Sequence, residues 1–525
     1  MINKILNNRF IVLYFLPFFL GLLTVFTFQP FNFSFINFFI LPVLFFLIVY
    51  VKKKSQNIYR KKPYRKNLFL LGFIFGFGFY LSGIFWISYS LTFDDNFKFL
   101  IPFALILIPL FLSLFTGLTT LIVGQFLSYN FSSILLFSGS FAFTDYTRGK
   151  ILSGFPWNSW SYSWSWFTEI LQALHLLGFF AFNLIIITIF TTPAILFFKG
   201  DSKKKFLLIS SMLGLVFSMY IYGTLSINKN KENLLNNIDK NKKIYVKVVS
   251  PSFDLKYNTS IEEVEKKLKK LVRYSEPSTK KTTLFIWPEG IFTGYRYNEI
   301  VQFDKLIKEN FQENHFILFG INTSDKITGE YFNSLVVIDN NFKIKHQYNK
   351  KKLVPFGEFL PFEKLLNQYG LKKITQGYDS FAKGKKQENI KFNNLNLLTL
   401  ICYEIIFPEL IQKSSEKTNL IVNISEDGWF GDSIGPHQHF AKAIFRSIES
   451  NLFLIRSANK GITAIINNKG EVIKKLNTHE TGVIEMEIPL LDSKNKNKND
   501  LIFFILLFTY LFIFLIFKNM TKHAK

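Results

Sequence analysis

The sequence predicts two structural classes in one chain: an α-helical membrane domain of about eight spans and an extracytoplasmic layered α/β domain. Three observations carry that expectation. Phenylalanine occurs 65 times in 525 residues and is concentrated in roughly the first 230 and the last 25. Apolar runs close to the length of about 20 residues that a bilayer-crossing helix needs recur in those two regions. Between them, short β-branched and Leu-rich runs alternate with amphipathic stretches, the pattern of a layered α/β fold. The expected division is 1–226, 227–498 and 499–525.

The first apolar run, Phe10 to Thr27, leads through Gln29-Pro30 into a second, Phe35 to Val51. It lacks a small-residue cleavage site and runs straight into another span, which predicts an uncleaved anchor. Further runs lie at Leu68–Tyr89, Leu100–Leu127, Ser132–Phe143, Ile170–Phe198, Phe206–Tyr222 and Leu501–Phe517. With eight spans, the basic loop 52–66, the Lys199–Lys205 loop and the Lys518–Lys525 tail all fall on one side, which the positive-inside rule makes cytoplasmic. The segment from about 227 to 498 then lies outside the cytoplasm. Its pattern predicts strands at Ile244–Val249, Leu284–Trp287, Phe316–Ile321, Ser334–Ile338, Leu395–Ile401, Asn419–Ile424, Leu452–Arg456 and Thr463–Ile466. Helices are expected at Ile261–Tyr274, Phe303–Phe311 and His437–Glu449, and Asp492–Asp500 reads as a linker.

The formal net charge of +25 does not point to nucleic acid. Many of the basic residues flank apolar runs, and no basic stripe carries a reader motif. A single cysteine excludes an intramolecular disulfide. His437 and His439 have metal-like spacing without acidic or cysteine partners nearby in sequence, so no metal and no cofactor is expected. Asp427 and Asp432 flank Gly428 and Gly431 in a loop expected to shape the site, with turn formation as the ordinary structural reading, and Lys351 and Lys352 read as a solvated face or a contact for anionic headgroups.

Three polar residues lie just beyond strand-like runs, where α/β folds place their sites. Glu289 follows Leu284–Pro288, Lys350 lies in Tyr348–Glu358, and Cys402 ends Leu398–Ile401. Singly, each has an ordinary structural reading: a helix-start acid, a solvated lysine and a core thiol.

At these residues the chain resembles the carbon–nitrogen hydrolase (nitrilase) superfamily, whose members use Glu, Lys and Cys in this order on an αββα sandwich. The flanking text is similar to the apolipoprotein N-acyltransferase family: Trp287-Pro288-Glu289, Leu353–Glu358, Cys402-Tyr403-Glu404, Asn423–Asp432, Gln438-His439 and Arg446, with Arg148-Gly149 and Gly154–Trp157 in the membrane half. The resemblance implies that Glu289 is the general base, Lys350 the oxyanion stabiliser with the Tyr403 N–H, and Cys402 the nucleophile. It implies supporting places for Glu358, Tyr403 and Glu404, with Glu358 orienting Lys350. Phe356, Phe359, Leu360, Trp429, Phe430 and Trp157 become candidates for lining substrate access. The partners it implies are a phospholipid acyl donor, a diacylglyceryl apolipoprotein acceptor and the bilayer. Ser250-Pro251-Ser252, Tyr257, Glu426 and Lys460 depart from the family text, where Gln-x-Asn, Trp, Asn and Thr are expected. A membrane-tethered amidase, an inactive scaffold and a transporter fit less well. The first needs no array of spans, the second predicts loss of Glu289, Lys350 or Cys402, and the third predicts ionisable residues in several spans.

Overall fold

A computed structural model describes residues 6–58, 64–236, 242–256, 259–277, 281–363, 368, 380–385, 389–412, 417–491 and 500–523. Tyr257, most of the expected linker Asp492–Asp500 and the Arg60–Lys62 part of the basic loop lie outside the described residues. The chain divides into two compact units. Residues 1–88, 99–226 and 498–525 form one, and residues 89–98 with 227–497 form the other.

In the helical unit, six stretches among the described residues are long and apolar enough to cross a membrane: Ser34–Lys54, Tyr64–Phe93, Asp95–Val123, Phe179–Phe197, Ser202–Leu235 and Leu501–Met520. A shorter apolar helix spans Ile11–Thr27. The run at Ser132–Phe143 belongs to the helix Phe131–Lys150, whose N-terminus is capped by the Asn130 side chain accepting from the Ser133 N–H. Where one span was expected over Ile170–Phe198, two short helical turns end at Gly178, whose φ of +78° breaks the run before a helix starts at Phe179. The helix at Ser202–Asn236 outruns its apolar stretch by more than three turns.

These helices are sorted as a lipid solvent demands. On Ile101–Val123, the large side chains Phe103, Leu107, Phe111, Leu114, Leu118 and Ile122 are exposed, while Ser113, Thr116, Gly117, Thr119 and Thr120 are buried. Lipid supplies no hydrophobic drive between helices, so small residues that let backbones approach hold them together. Gly72 and Gly76 face this polar stripe; a Cβ on Gly72 would come within 2.6 Å of the Thr116 carbonyl oxygen, and one on Gly76 within 3.0 Å of the Ser113 Cα. A buried polar knot fixes the stretch between the later helices. Arg148 pairs with Asp145 at 2.8 Å and donates to the Phe155 carbonyl, Asn183 donates to Asp145 at 2.9 Å, and the Ser161 N–H donates to Asn183 at 2.9 Å. Trp157 is buried beside this knot, stacked on Phe155 and 4.5 Å from Trp86.

The second unit is an αββα sandwich. One sheet runs β12-β1-β2-β3-β4-β5, from β1 (Lys243–Ser250), β2 (Thr283–Ile286), β3 (His315–Ser324), β4 (Tyr331–Ile338), β5 (Ile344–Asn349) and β12 (Gly482–Pro489). The other runs β11-β10-β9-β8-β7-β6, from β6 (Ile390–Phe392), β7 (Leu395–Ile401), β8 (Leu420–Glu426), β9 (Leu454–Asn459), β10 (Thr463–Ile466) and β11 (Val472–Leu476). Short, charged strands such as β11 and the weakly patterned β5, β6 and β12 gave no clear sequence signal.

Alternation decides the layers. Val246, Val248, Leu284 and Ile286 face Leu397, Ile401, Val422, Ile424 and Ile455 between the sheets. Phe285, Trp287, Ile317 and Phe319 point the other way, against Val264, Leu268 and Leu271 of the helix Ile261–Ser275. That helix starts at a Ser260–Glu263 capping box. Helix Gly435–Ser450 is buried along most of its length and packs against β9 of the other sheet.

Close packing at Gly76 gives a direct test of the helical unit. Gly76→Leu is expected to lower its stability by about 1–3 kcal/mol through overpacking. Gly214→Leu should be neutral, because nothing lies within 4 Å of a Cβ there. Thermal denaturation of the two variants in the same detergent distinguishes them.

Candidate active site

Each parallel strand pair ends in a loop at its carboxyl edge, and the polar residues singled out from sequence gather at these ends. Glu289 lies three residues past β2, Lys350 directly follows β5, and Cys402 directly follows β7. Lys350 is almost fully buried, and its Nζ lies 2.8 Å from Glu358 Oε1 and 3.4 Å from Glu289 Oε1. Burial alone would push this ammonium down. The two carboxylates outweigh it and hold Lys350 well above the ordinary lysine value.

Asn333, on β4, completes the cluster. Its Nδ2 donates to Glu289 Oε1 and to Glu358 Oε1, each at 2.7 Å, so one amide spaces two carboxylates and satisfies both. Sequence reasoning missed it, although a lone amide in an otherwise apolar strand was the available signal. The second oxygens are also held: Glu289 Oε2 accepts from the Glu426 N–H at 3.2 Å, and Glu358 Oε2 from the Val354 N–H at 2.8 Å.

Cys402 is buried, and its φ of +47° is left-handed, which costs a non-glycine residue roughly 1–2 kcal/mol. Burial pushes its thiol up, the negative charge of Glu289 adds to that, and Lys350 opposes both. The resting thiol is therefore protonated at neutral pH, beside a carboxylate able to accept its proton.

Glu404 accepts its hydrogen bonds from other groups than Lys350 and Asn333. It is fully buried, and its Oε1 accepts from the Lys351 N–H (2.7 Å), the Lys352 N–H (3.1 Å) and the Tyr348 hydroxyl (2.9 Å), while Oε2 accepts from the Ile401 N–H (2.9 Å). One carboxylate thus ties the end of β5 to the end of β7. Burial nevertheless pushes its carboxyl up, against these donors. Tyr403 is buried edge-on against Phe407.

Behind Cys402 lies a second buried polar group. Asp427 is paired with Arg456 Nη2 at 2.7 Å and lies 3.0 Å from His439 Nδ1, and the Ser425 hydroxyl donates to it at 2.6 Å. Arg456 also donates to Asn423, and His439 Nε2 is 3.2 Å from the Cys402 carbonyl oxygen. Asp427 is therefore a buried ion-pair partner in the loop behind Cys402, beyond the ordinary turn-forming role that its glycine neighbours suggest. Burial works against its charge, and the Arg456 guanidinium overcomes it, holding the carboxyl far below the usual range. Lys352 likewise departs from the solvated reading, since it pairs with Glu409 at 3.1 Å and lies over the Phe407 ring.

The aromatic candidates separate. Phe356 is 46% exposed with φ +63°, and Trp429 is half-buried, edge-on to Phe93 at 5.2 Å. Phe430 is buried against His439, and Trp157 is a packed residue of the helical unit. Leu360 is buried.

Two family descriptions match the chain: "Carbon-nitrogen hydrolase" over residues 254–495 and "Apolipoprotein N-acyltransferase N-terminal domain" over residues 20–192. A protein of Rickettsia typhi named apolipoprotein N-acyltransferase is 33% identical, over 90% of this chain and 91% of that one. One of the same name from Rhodopseudomonas palustris is 30% identical over 80% of each. The chain belongs to the apolipoprotein N-acyltransferase family. Among solved structures, a carbon–nitrogen hydrolase from Helicobacter pylori is similar at 16% identity and TM-score 0.37, covering 47% of this chain and 89% of that one.

The departures from the apolipoprotein N-acyltransferase text have local explanations. At position 426 the contact to Glu289 comes from the main chain, so a Glu there leaves that donor in place. The Glu426 side chain accepts from the Gly428 N–H at 2.8 Å and from Asn459 at 2.7 Å, and burial pushes it up to about 8. Lys460 pairs with Asp254 at 2.5 Å, and Ser250 donates to the Glu480 carbonyl at 2.8 Å.

Burial, with Arg456 alongside, pushes His439 down to about 4, so the fold holds it neutral. An unfolded histidine titrates near pH 6.5, so the unfolded chain binds more protons between the two values and stability rises with pH across that window. Acidification from pH 7 to 4 is expected to remove up to about 3 kcal/mol through this group. His439→Gln should flatten that part of the dependence in thermal denaturation measured at stepped pH.

Proposed function

We propose that this chain transfers an acyl chain from a membrane phospholipid, through a thioester on Cys402, to the α-amine of a lipoprotein's diacylglyceryl-modified N-terminal cysteine. Membership of its family makes it an acyltransferase, and its relatives' name supplies the apolipoprotein acceptor. The apolar helices make it a membrane protein, so both substrates are expected in the same bilayer. The observation that supports the site assignment best is the convergence of Glu289 and Glu358 on the buried Lys350, with the charges of Glu289 and Lys350 both acting on the thiol of Cys402, the only cysteine in the sequence.

Glu289 takes the Cys402 proton as the sulfur attacks the ester carbonyl. The oxyanion is stabilised by Lys350 with the Tyr403 N–H, and its collapse expels the lysophospholipid alkoxide, which Glu289 reprotonates. The acceptor amine then attacks the thioester and gives up a proton to Glu289. The second tetrahedral intermediate expels the thiolate, which recovers that proton. Glu358, with Asn333, keeps the Lys350 ammonium directed at the reacting centre. Phe356 and Trp429 line the approach and limit access of water to the thioester. The basic stretches 52–66, 199–205 and 518–525 are cytoplasmic, and the catalytic unit faces the periplasm of an inner membrane.

Incubation with phospholipid labelled in its acyl chain should give a thioester label on the wild-type protein and none on Cys402→Ala. A diacylated lipopeptide with a free amine should then gain a third chain. A label that survives Cys402→Ala overturns the nucleophile assignment, and an acyl-enzyme that never passes its chain to the amine overturns the acceptor.

Glu289→Gln keeps the shape and removes the base. Acyl-enzyme formation is expected to slow by about 10²–10⁴-fold at neutral pH. Single-turnover labelling measures this, and a rate close to wild type means that another group deprotonates the thiol.

A further inference from the structure

The Cys402 main chain is left-handed, with φ +47°, at a residue that is not glycine. Such a conformation persists only where the surroundings over-determine it. On one side the Ile401 N–H is held by Glu404. On the other, the Cys402 carbonyl oxygen lies 3.2 Å from His439 Nε2, on the helix Gly435–Ser450.

The protonation of the ring follows from its neighbours. Nδ1 lies 3.0 Å from Arg456 Nη2, which can only donate, and 3.0 Å from Asp427 Oδ1, which accepts from Ser425. A proton on Nε2 satisfies both the Cys402 carbonyl and Arg456, and leaves one contact between acceptors, that with Asp427. A proton on Nδ1 would satisfy Asp427 alone, oppose the Arg456 donor and turn a lone pair onto the carbonyl. Burial under Phe430, with Arg456 and Lys442 nearby, keeps the ring neutral.

We infer that His439 is a positioning residue for the nucleophile: its Nε2–H, held in that tautomer by Arg456, donates to the Cys402 carbonyl and fixes the turn that presents the thiol to Glu289 and Lys350. The inference rests on Cys402 being the nucleophile.

Three substitutions separate this role from simple packing. The amide nitrogen of His439→Gln reaches the place of Nε2, that of His439→Asn only the place of Nδ1, and His439→Leu fills the space without a donor. The readouts are the rate of Cys402 alkylation by chloroacetamide and the rate and KM of acyl-enzyme formation from labelled phospholipid, with thermal denaturation alongside. The Gln variant is expected within about threefold of wild type. The Asn and Leu variants should be slower by about tenfold to a hundredfold in both reactions, at unchanged KM. Leu alkylated at the wild-type rate, or a folded Gln variant as slow as Asn, overturns the inference. If the Leu variant does not fold, the Gln–Asn comparison decides. Failure of the nucleophile assignment shows separately, as acylation of Cys402→Ala or its absence from Cys402 in wild type.

Discussion

The Glu404 carboxylate is the contact on which the rest of the site depends. The sandwich is held by apolar packing between two sheets, and such packing is non-directional; it fixes the spacing of layers better than the register of their loop ends. Lys350 comes from the edge strand of one sheet and Cys402 from the interior of the other, so their relative position needs a directional tie. Glu404 supplies it with four hydrogen bonds, three to the β5 end and one to the β7 end. The same carboxylate occupies the third position of the short 3-10 turn Cys402–Ile406 and caps its start. Cap, inter-sheet tie and the Cys402 turn are therefore one structure.

Loss of Lys350 would leave two mostly buried carboxylates with no cation between them, which is strongly unfavourable. Asn333 limits the repulsion between Glu289 and Glu358 by donating a hydrogen bond to each. The arrangement keeps the positive charge on Lys350 while the thiol stays protonated, so in the proposed reaction negative charge reaches the sulfur only as it attacks. A standing thiolate buried next to Glu289 would be repelled by it. General-base catalysis with concerted attack is the course these charges favour.

Much of the catalytic unit was legible in the sequence because strands buried on both faces, such as β7, β8 and β10, read as continuous apolar runs bounded by polar residues. The strand ends then located Glu289 and Cys402. β5 was not legible, since His346, Gln347 and Asn349 interrupt any apolar pattern, and Lys350 was placed by its flanking text instead. Asn333, Arg456 and the true setting of Asp427 were hidden for a different reason. Their meaning lies in partners 12 to 44 residues away, and spacing along a chain does not report such pairs. In the helical unit, apolarity announced the spans, but the break at Gly178 is a backbone event inside an apolar run.

The two sheets share one pattern. Counted from the strand that pairs antiparallel with the first central one, each goes antiparallel, parallel, parallel, antiparallel, antiparallel, as β12-β1-β2-β3-β4-β5 and as β6-β7-β8-β9-β10-β11. Ile286 and Ile424 are the last inward residues paired across the respective parallel strands, with Val248 and Ile401. Three residues beyond them stand Glu289 and Asp427, two acids in equivalent places, and the charge of each acts on the Cys402 thiol. Their partners make them unlike. Asp427 is paired with Arg456, accepts from Ser425 and is held far below the usual carboxylate range. An acid in that state is too weak a base to take a thiol proton. Glu289 shares its cation with Glu358 at the longer distance of 3.4 Å. A duplicated layout thus offers the cysteine two carboxylates, and the buried arginine beside one of them leaves the other as the base of the proposed reaction.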